Sequence, residues 1–204
     1  MVRQEGMTLI EVTVLLTVLG LVVGLMTGSV SDLLEQSRQL RTQEDVEHIG
    51  QAVVDFYADS GFFPRTGDTV DGRPGDDELG ALISDAPMAE TTSSSALWAQ
   101  TRVDSMTAHL VRNGVQYAVR DAVSGMGWKG PYLSSAIQDD SWGNAYVVNV
   151  FWLDARDIVQ DSSGARLGAV WVLSAGPNGV IETPYYQPRD AAQLYGDDIG
   201  FRLQ

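Results

Sequence analysis

The chain contains no cysteine, which excludes a disulfide framework, a thiolate metal site and a cysteine nucleophile, and leaves the redox compartment unreadable from thiols. Histidine is scarce: His48 and His109 are the whole supply, and both fall in stretches of helical periodicity where single histidines usually pack or face solvent. There is no G-x-S-x-G elbow and no phosphate-binding glycine loop, so the sequence reads as that of a non-enzyme. Basic side chains are few, 13 Lys and Arg against 27 Asp and Glu, for a formal charge of -14. Such a surface repels phosphate backbones, and nucleic acid is excluded as a partner.

What is present is one long apolar run and a chain long enough to bury a core. The 204 residues, 44% of them hydrophobic, suffice for one compact domain with an appended element. From Val12 to Ser31 no residue is ionisable. With Met7 to Glu11 ahead of it, this stretch approaches the roughly 20 residues that cross a bilayer as a helix, so residues 7–30 are expected to span a membrane. Only Met1 to Gly6 precede the run, unlike an ordinary secretory signal. Charge does not fix an orientation, since Arg3 is offset by Glu5, and Asp32, Glu35, Arg38 and Arg41 mix on the far side.

Glu11 is the one acid inside this run. A carboxylate in an apolar helix costs about 3 kcal/mol on insertion scales and calls for a cationic partner, unless it lies close enough to the head groups to reach them. Gly20, Gly24 and Gly28 are spaced four apart on one helical face. They either admit a neighbouring backbone or reflect the general frequency of glycine in membrane helices.

Beyond Val30 the pattern turns amphipathic. Val46, Ile49, Val53 and Phe56 or Tyr57 recur at helical spacing among Gln43, Glu44, Glu47, Gln51 and Asp55, which predicts one face of a helix laid on a small sheet. Ser60-Gly61 followed by Pro64 stops it. Residues 65–92 read as loop with a short helix over 76–84. The acids Asp68, Asp71, Asp76, Asp77 and Glu78 lack calcium-loop spacing and read as a solvated loop. Ser93 to Ser124 reads as one or two helices. Tyr146 to Trp152 and Ala169 to Leu173 read as an antiparallel pair of strands. The expected class is α+β: a long N-terminal helix, its first half membrane-spanning, packed on a small antiparallel sheet with a helical insertion.

The residues Gly6-Met7-Thr8-Leu9-Ile10-Glu11-Val12 resemble the processing site of type IV prepilins and pseudopilins. The resemblance implies that a prepilin peptidase cuts between Gly6 and Met7, that Met7 is then N-methylated, and that Glu11 pairs with the N-terminal amine of a neighbouring subunit. Many members carry a proline where this chain has Gly28.

A second set of residues resembles successive landmarks of the type II secretion major pseudopilins: Trp128 to Leu133, Asp140 to Tyr146, Ser174 to Gly179 and Asp197 to Gly200. The stretch at about 85–126 stands as an insertion against that pattern. In that family the final loop binds calcium, which here implies ligation by the carbonyls of Ala175 and Val180 and the side chains of Asn178, Asp197 and Asp198. Asn178 replaces a preferred aspartate, and the segment from Ile181 to Gly196 is longer than usual. Oxygen donors of this kind suit a hard cation.

The implied organisation is a leader (1–6), a transmembrane and filament-core helix (7–30), an amphipathic helix entering the head (31–64), a loop and helical insertion region (65–140), and the sheet with its C-terminal loop (141–204). The implied protein is a single-pass subunit of the bacterial inner membrane, its head on the extracytoplasmic side. It would be drawn from lipid into a secretion pseudopilus with copies of itself and other pseudopilins, after contact with the peptidase and an inner-membrane assembly platform. A type IV pilus subunit and a monomeric membrane-anchored binding module are the alternatives.

Overall fold

A computed structural model of the chain describes residues 6–64, 79–123, 125–153 and 168–203, without the side chains of 25–29. The expected leader, apart from Gly6, and the acidic stretch from Asp68 to Glu78 lie outside the described residues. The chain divides into two compact units, Met1–Arg38 and Gln39–Gln204.

The helix α1 runs Leu9–Ser60. In the first unit its described apolar side chains are bare on all sides: Leu9, Ile10, Leu16, Leu21 and Val23 are each more than half exposed. The expectation of a membrane-spanning first half, and of a single-pass membrane location, is corrected here. Among the described residues no helix is long and apolar enough to cross a membrane. The described apolar stretch from Leu9 to Gly24 falls short of the roughly 20 residues a bilayer requires, and it carries Glu11 near its start.

In the second unit the α1 stripe does what its spacing predicts. Val46, Ile49, Val53 and Phe56 are fully buried, while Val54 and Tyr57, each next in the chain to one of them, face outward. Each such apolar side chain withdrawn from water contributes on the order of 1.5–3 kcal/mol. Gly50 lies on the same face, where a Cβ would come within 2.4 Å of the Phe201 ring. The missing side chain is what lets that ring close on the helix. After Ser60 the Gly61 N–H donates to the Tyr57 carbonyl at 2.8 Å, and the glycine turns to a φ of +78°, the left-handed stop that Ser60-Gly61 predicts.

The sheet has five strands in the order β3-β1-β4-β5-β7: β1 (Ala81–Ile83), β3 (Val103–Ser105), β4 (Val147–Val148), β5 (Trp171–Ser174) and β7 (Ile199–Arg202). A second, parallel pair joins β2 (Glu90–Thr91) to β6 (Val180–Ile181). The strands β4 and β5 pair antiparallel, as their β-branched and aromatic composition predicts, but the strand expected over Tyr146 to Trp152 is only Val147–Val148, and Val150–Leu153 winds into a 3-10 helix. The sheet is nevertheless mixed rather than antiparallel, because β1 pairs parallel with β3. All residues of β4 and β5 are buried, so both faces of the sheet's centre are covered.

Two further expectations give way. Where a short helix was expected over 76–84, Ala81–Ile83 is a central strand flanked by β3 and β4. Where Ser93 to Ser124 was expected to form one or two helices, the chain makes a single turn α2 (Leu97–Gln100), then β3, then one turn of π-helix at Thr107–Val111, then loop. Long-range pairing, here of Ala81 with Val103 and of Leu82 with both Asp104 and Val148, overrides the local helical pattern.

Candidate functional site

At the start of α1, Thr8 and Glu11 lock each other in place. The Glu11 carboxylate accepts from the Thr8 backbone N–H at 2.7 Å and from its hydroxyl at 2.8 Å, and the Glu11 N–H reaches the Thr8 Oγ1 at 3.4 Å. This is a capping box, satisfying donors that the first helical turn leaves without partners. These bonds, the Thr8 backbone N–H first and its hydroxyl second, hold the Glu11 carboxyl below the usual carboxylate range. The signature of this cap is Thr8-x-x-Glu11, and it gives Glu11 a local partner where the apolar context alone implies an intermolecular one.

Gly6 and Met7 precede the cap, Gly6 in open space and Met7 70% exposed. A Cβ at Gly20 or Gly24 would likewise meet nothing within 4 Å. Both glycines are available to a second backbone. Gly28 lies in α1 among the residues whose side chains fall outside the description.

The four C-terminal landmarks divide into two places. The segment from Trp128 to Leu133 rests on the π-helical turn, with the Tyr132 N–H donating to the Leu110 carbonyl at 2.8 Å. The other three meet at one end of the sheet. Asp140 is the hub: one carboxylate oxygen accepts the N–H groups of Trp142 and Asn144, both at 2.9 Å, and the other accepts the Ser174 hydroxyl at 2.6 Å. Ser174 then turns into Gly176, whose φ of +64° and close approach to Asp197 leave no room for a side chain: a Cβ would lie 2.2 Å from the Asp197 carbonyl oxygen.

Around that contact the expected calcium ligands converge. Asp197 Oδ2 accepts the Asn178 N–H at 3.0 Å, and Asn178 Oδ1 accepts the Val180 N–H at 2.7 Å. Asp198 Oδ2 accepts the N–H groups of Glu182 at 3.0 Å and Thr183 at 2.7 Å. Ala175 is fully buried and Val180 half-buried on either side of the turn. Burial pushes the Asp198 carboxyl upward, against the pull of its Thr183 and Glu182 bonds.

Glu182, which sequence spacing did not single out, joins the group. Its carboxylate accepts from the Asn178 side-chain amide at 3.4 Å and from the Asp197 N–H at 3.3 Å, and a Cβ at Gly196 would collide with it. Only the return of β6 beside the final loop brings it there.

Two oxygens in this turn, Asp197 Oδ1 and Asp198 Oδ1, are buried with no hydrogen-bond partner among the described residues. Orphaned carboxylate oxygens beside backbone carbonyls fit a hard cation. Among the described residues no three acidic or histidine side chains form a metal-holding group, so a cation here would depend on carbonyl oxygens as well.

Comparison of the chain with family models, with curated proteins and with solved structures finds no match.

Proposed function

We propose that the chain is a structural subunit of a type II secretion pseudopilus, cut between Gly6 and Met7 and polymerised through its N-terminal helix. The observation that carries this reading is the bare apolar surface of α1 from Leu9 to Val23 in a chain whose second unit buries its own core thoroughly. An apolar surface of that extent on a helix of a folded chain marks a contact with something else. Another copy of the same helix suits it: every side is apolar, Gly20 and Gly24 allow close approach, and Glu11 lies near the tip. In a stacked core Glu11 would face the ammonium of the Met7 terminus exposed by processing. A buried carboxylate is tolerable beside a cation and expensive alone. The role requires no catalytic residue.

Calcium belongs to the same proposal. Asn178, Asp197, Asp198 and Glu182, with the carbonyls of Ala175 and Val180, would hold it, and the ion would take up the one oxygen of Asp197 and the one of Asp198 that the turn leaves without a donor.

The test is expression beside an active prepilin peptidase and the pseudopilus assembly machinery. The mature chain is expected to begin at Met7, and Glu11→Ala is expected to abolish filaments while leaving the head folded. A mature chain retaining Gly6, or normal filaments from the Glu11→Ala variant, overturns the reading.

A further inference from the structure

A hydrogen-bonded triad built around a buried histidine, with a half-buried carboxylate and tyrosine beside it, lies outside both candidate sites, in the part of the chain whose purpose the sequence left unread. His109 sits on the π-helical turn Thr107–Val111 with its side chain fully buried. Its Nε2 faces Asp104 Oδ2 at 3.1 Å, and its Nδ1 faces the Tyr117 hydroxyl at 2.5 Å. A carboxylate only accepts, so Nε2 carries the proton of the neutral ring, and Nδ1 accepts from Tyr117.

Tyr117 ends a short loop over residues 113–117. Asn113 and Gln116 hold left-handed backbone, with φ of 49° and 61°, and glutamine is strained there. Asn113 clasps Tyr117 from both sides of its side-chain amide, taking the Tyr117 N–H at 2.7 Å and donating to its carbonyl at 3.0 Å. The Tyr117 ring in turn covers Phe56 at 5.0 Å and Phe62 at 5.5 Å, at the end of α1.

We propose that residues 113–117 are an acid-released latch: the uncharged His109 ring beneath them holds Tyr117 down, and its protonation lets the loop lift from Phe56 and Phe62. The groups facing the ring are Asp104 from β3 and Tyr117 from the loop. The 128–132 segment contributes the Trp128 indole, which donates to the His109 backbone carbonyl, and α1 contributes the apolar Phe56, which packs against the far partner, the Tyr117 ring. Beside the triad, Asp85 accepts the Ser105 and Thr107 hydroxyls at 2.8 and 2.7 Å and keeps β3 and the π-turn in place when the loop moves.

Charging the ring has two consequences. It removes the acceptor at Nδ1, so the Tyr117 hydroxyl must reverse its bond, and it places a cation where burial disfavours one. Burial is the larger influence and holds the imidazole below its ordinary 6.5, with Asp104 opposing. The sign follows: the closed loop binds the proton less readily than the open one, so closure is fully favoured above the open-state value and weakens as pH falls below it.

Hydrogen exchange of the full chain, held in nonionic detergent at about pH 7.5 and about pH 5 and corrected for intrinsic rates, tests the latch. The Gly114, Gln116 and Tyr117 amides are expected to lose protection by up to about ten-fold per pH unit below the ordinary imidazole value, while β5 amides do not change. In His109→Phe that pH dependence should vanish. Because His109→Phe removes buried polar contacts and could misfold, Asp104→Asn provides the second reading: without the carboxylate the transition should move to lower pH. Protection that is flat with pH in the wild type, a pH dependence that persists in a folded His109→Phe, or an unmoved transition in Asp104→Asn overturns the proposal.

Discussion

Individual side chains carry more of this structure's logic than their sequence neighbourhoods disclose. Thr8 illustrates it: within an apolar run it reads as filler, yet its N–H and hydroxyl hold the carboxylate on which the assembly reading depends. Thr8→Ala is expected to lower the stability of the first helical turn by about 1 kcal/mol, read as faster amide exchange at residues 9–12. It should also free Glu11 to titrate closer to an ordinary carboxylate. Asn149 is a second case. It is fully buried beside β4, donates to the Ala169 carbonyl at 3.0 Å and accepts the Trp171 N–H at 2.7 Å. Asn149→Ala leaves a buried donor and acceptor without partners and opens a void. A loss of about 2–4 kcal/mol is expected in denaturant unfolding.

At the scale of elements, what was legible in the sequence was periodic or punctuated. The stripe Val46, Ile49, Val53, Phe56 could be read because a 3.6-residue period is written into the chain, and the α1 stop because Gly61 takes, without steric cost, the left-handed φ that ends a helix. Phe56→Ala should therefore cost about 3–5 kcal/mol, whereas Val54→Ala on the outward face should stay within about 0.5 kcal/mol, compared by thermal melting of the two variants. The pairing of β4 with β5 was equally visible, since β-branched runs on either side of a polar connection declare themselves. The parallel partnership of Ala81 with Val103 was not. Strands of three residues carry too little pattern, and their register is set by contacts distant in sequence. The same holds for Glu182 and for the Asp104–His109–Tyr117 triad, whose members meet only after folding. The membrane expectation failed for a different reason. The described apolar stretch of α1, Leu9 to Gly24, is shorter than the span a bilayer requires.

On the scale of the whole molecule, the two compact units pose two separable questions, association for Met1–Arg38 and cation-linked stability for Gln39–Gln204. If the bare helix is the assembly surface, removing residues 1–30 should abolish self-association in sedimentation while leaving the melting temperature of the head unchanged. If the orphaned oxygens of Asp197 and Asp198 mark a cation site, calcium acts on the other quantity alone. An ion that binds only the folded state stabilises by RT ln(1 + [L]/Kd), which at a hundred-fold excess over Kd is about 2.7 kcal/mol, or roughly 5–10 °C for a chain of this size. Chelation should reverse that gain without altering association. Asp198→Asn should remove it, because the substitution keeps an oxygen to accept the Glu182 and Thr183 N–H groups while deleting the charge that a cation requires. A calcium-dependent rise of equal size in the Asp198→Asn variant would place the ion elsewhere. A melting temperature indifferent to calcium in the wild type would mean that the turn closes on hydrogen bonds alone.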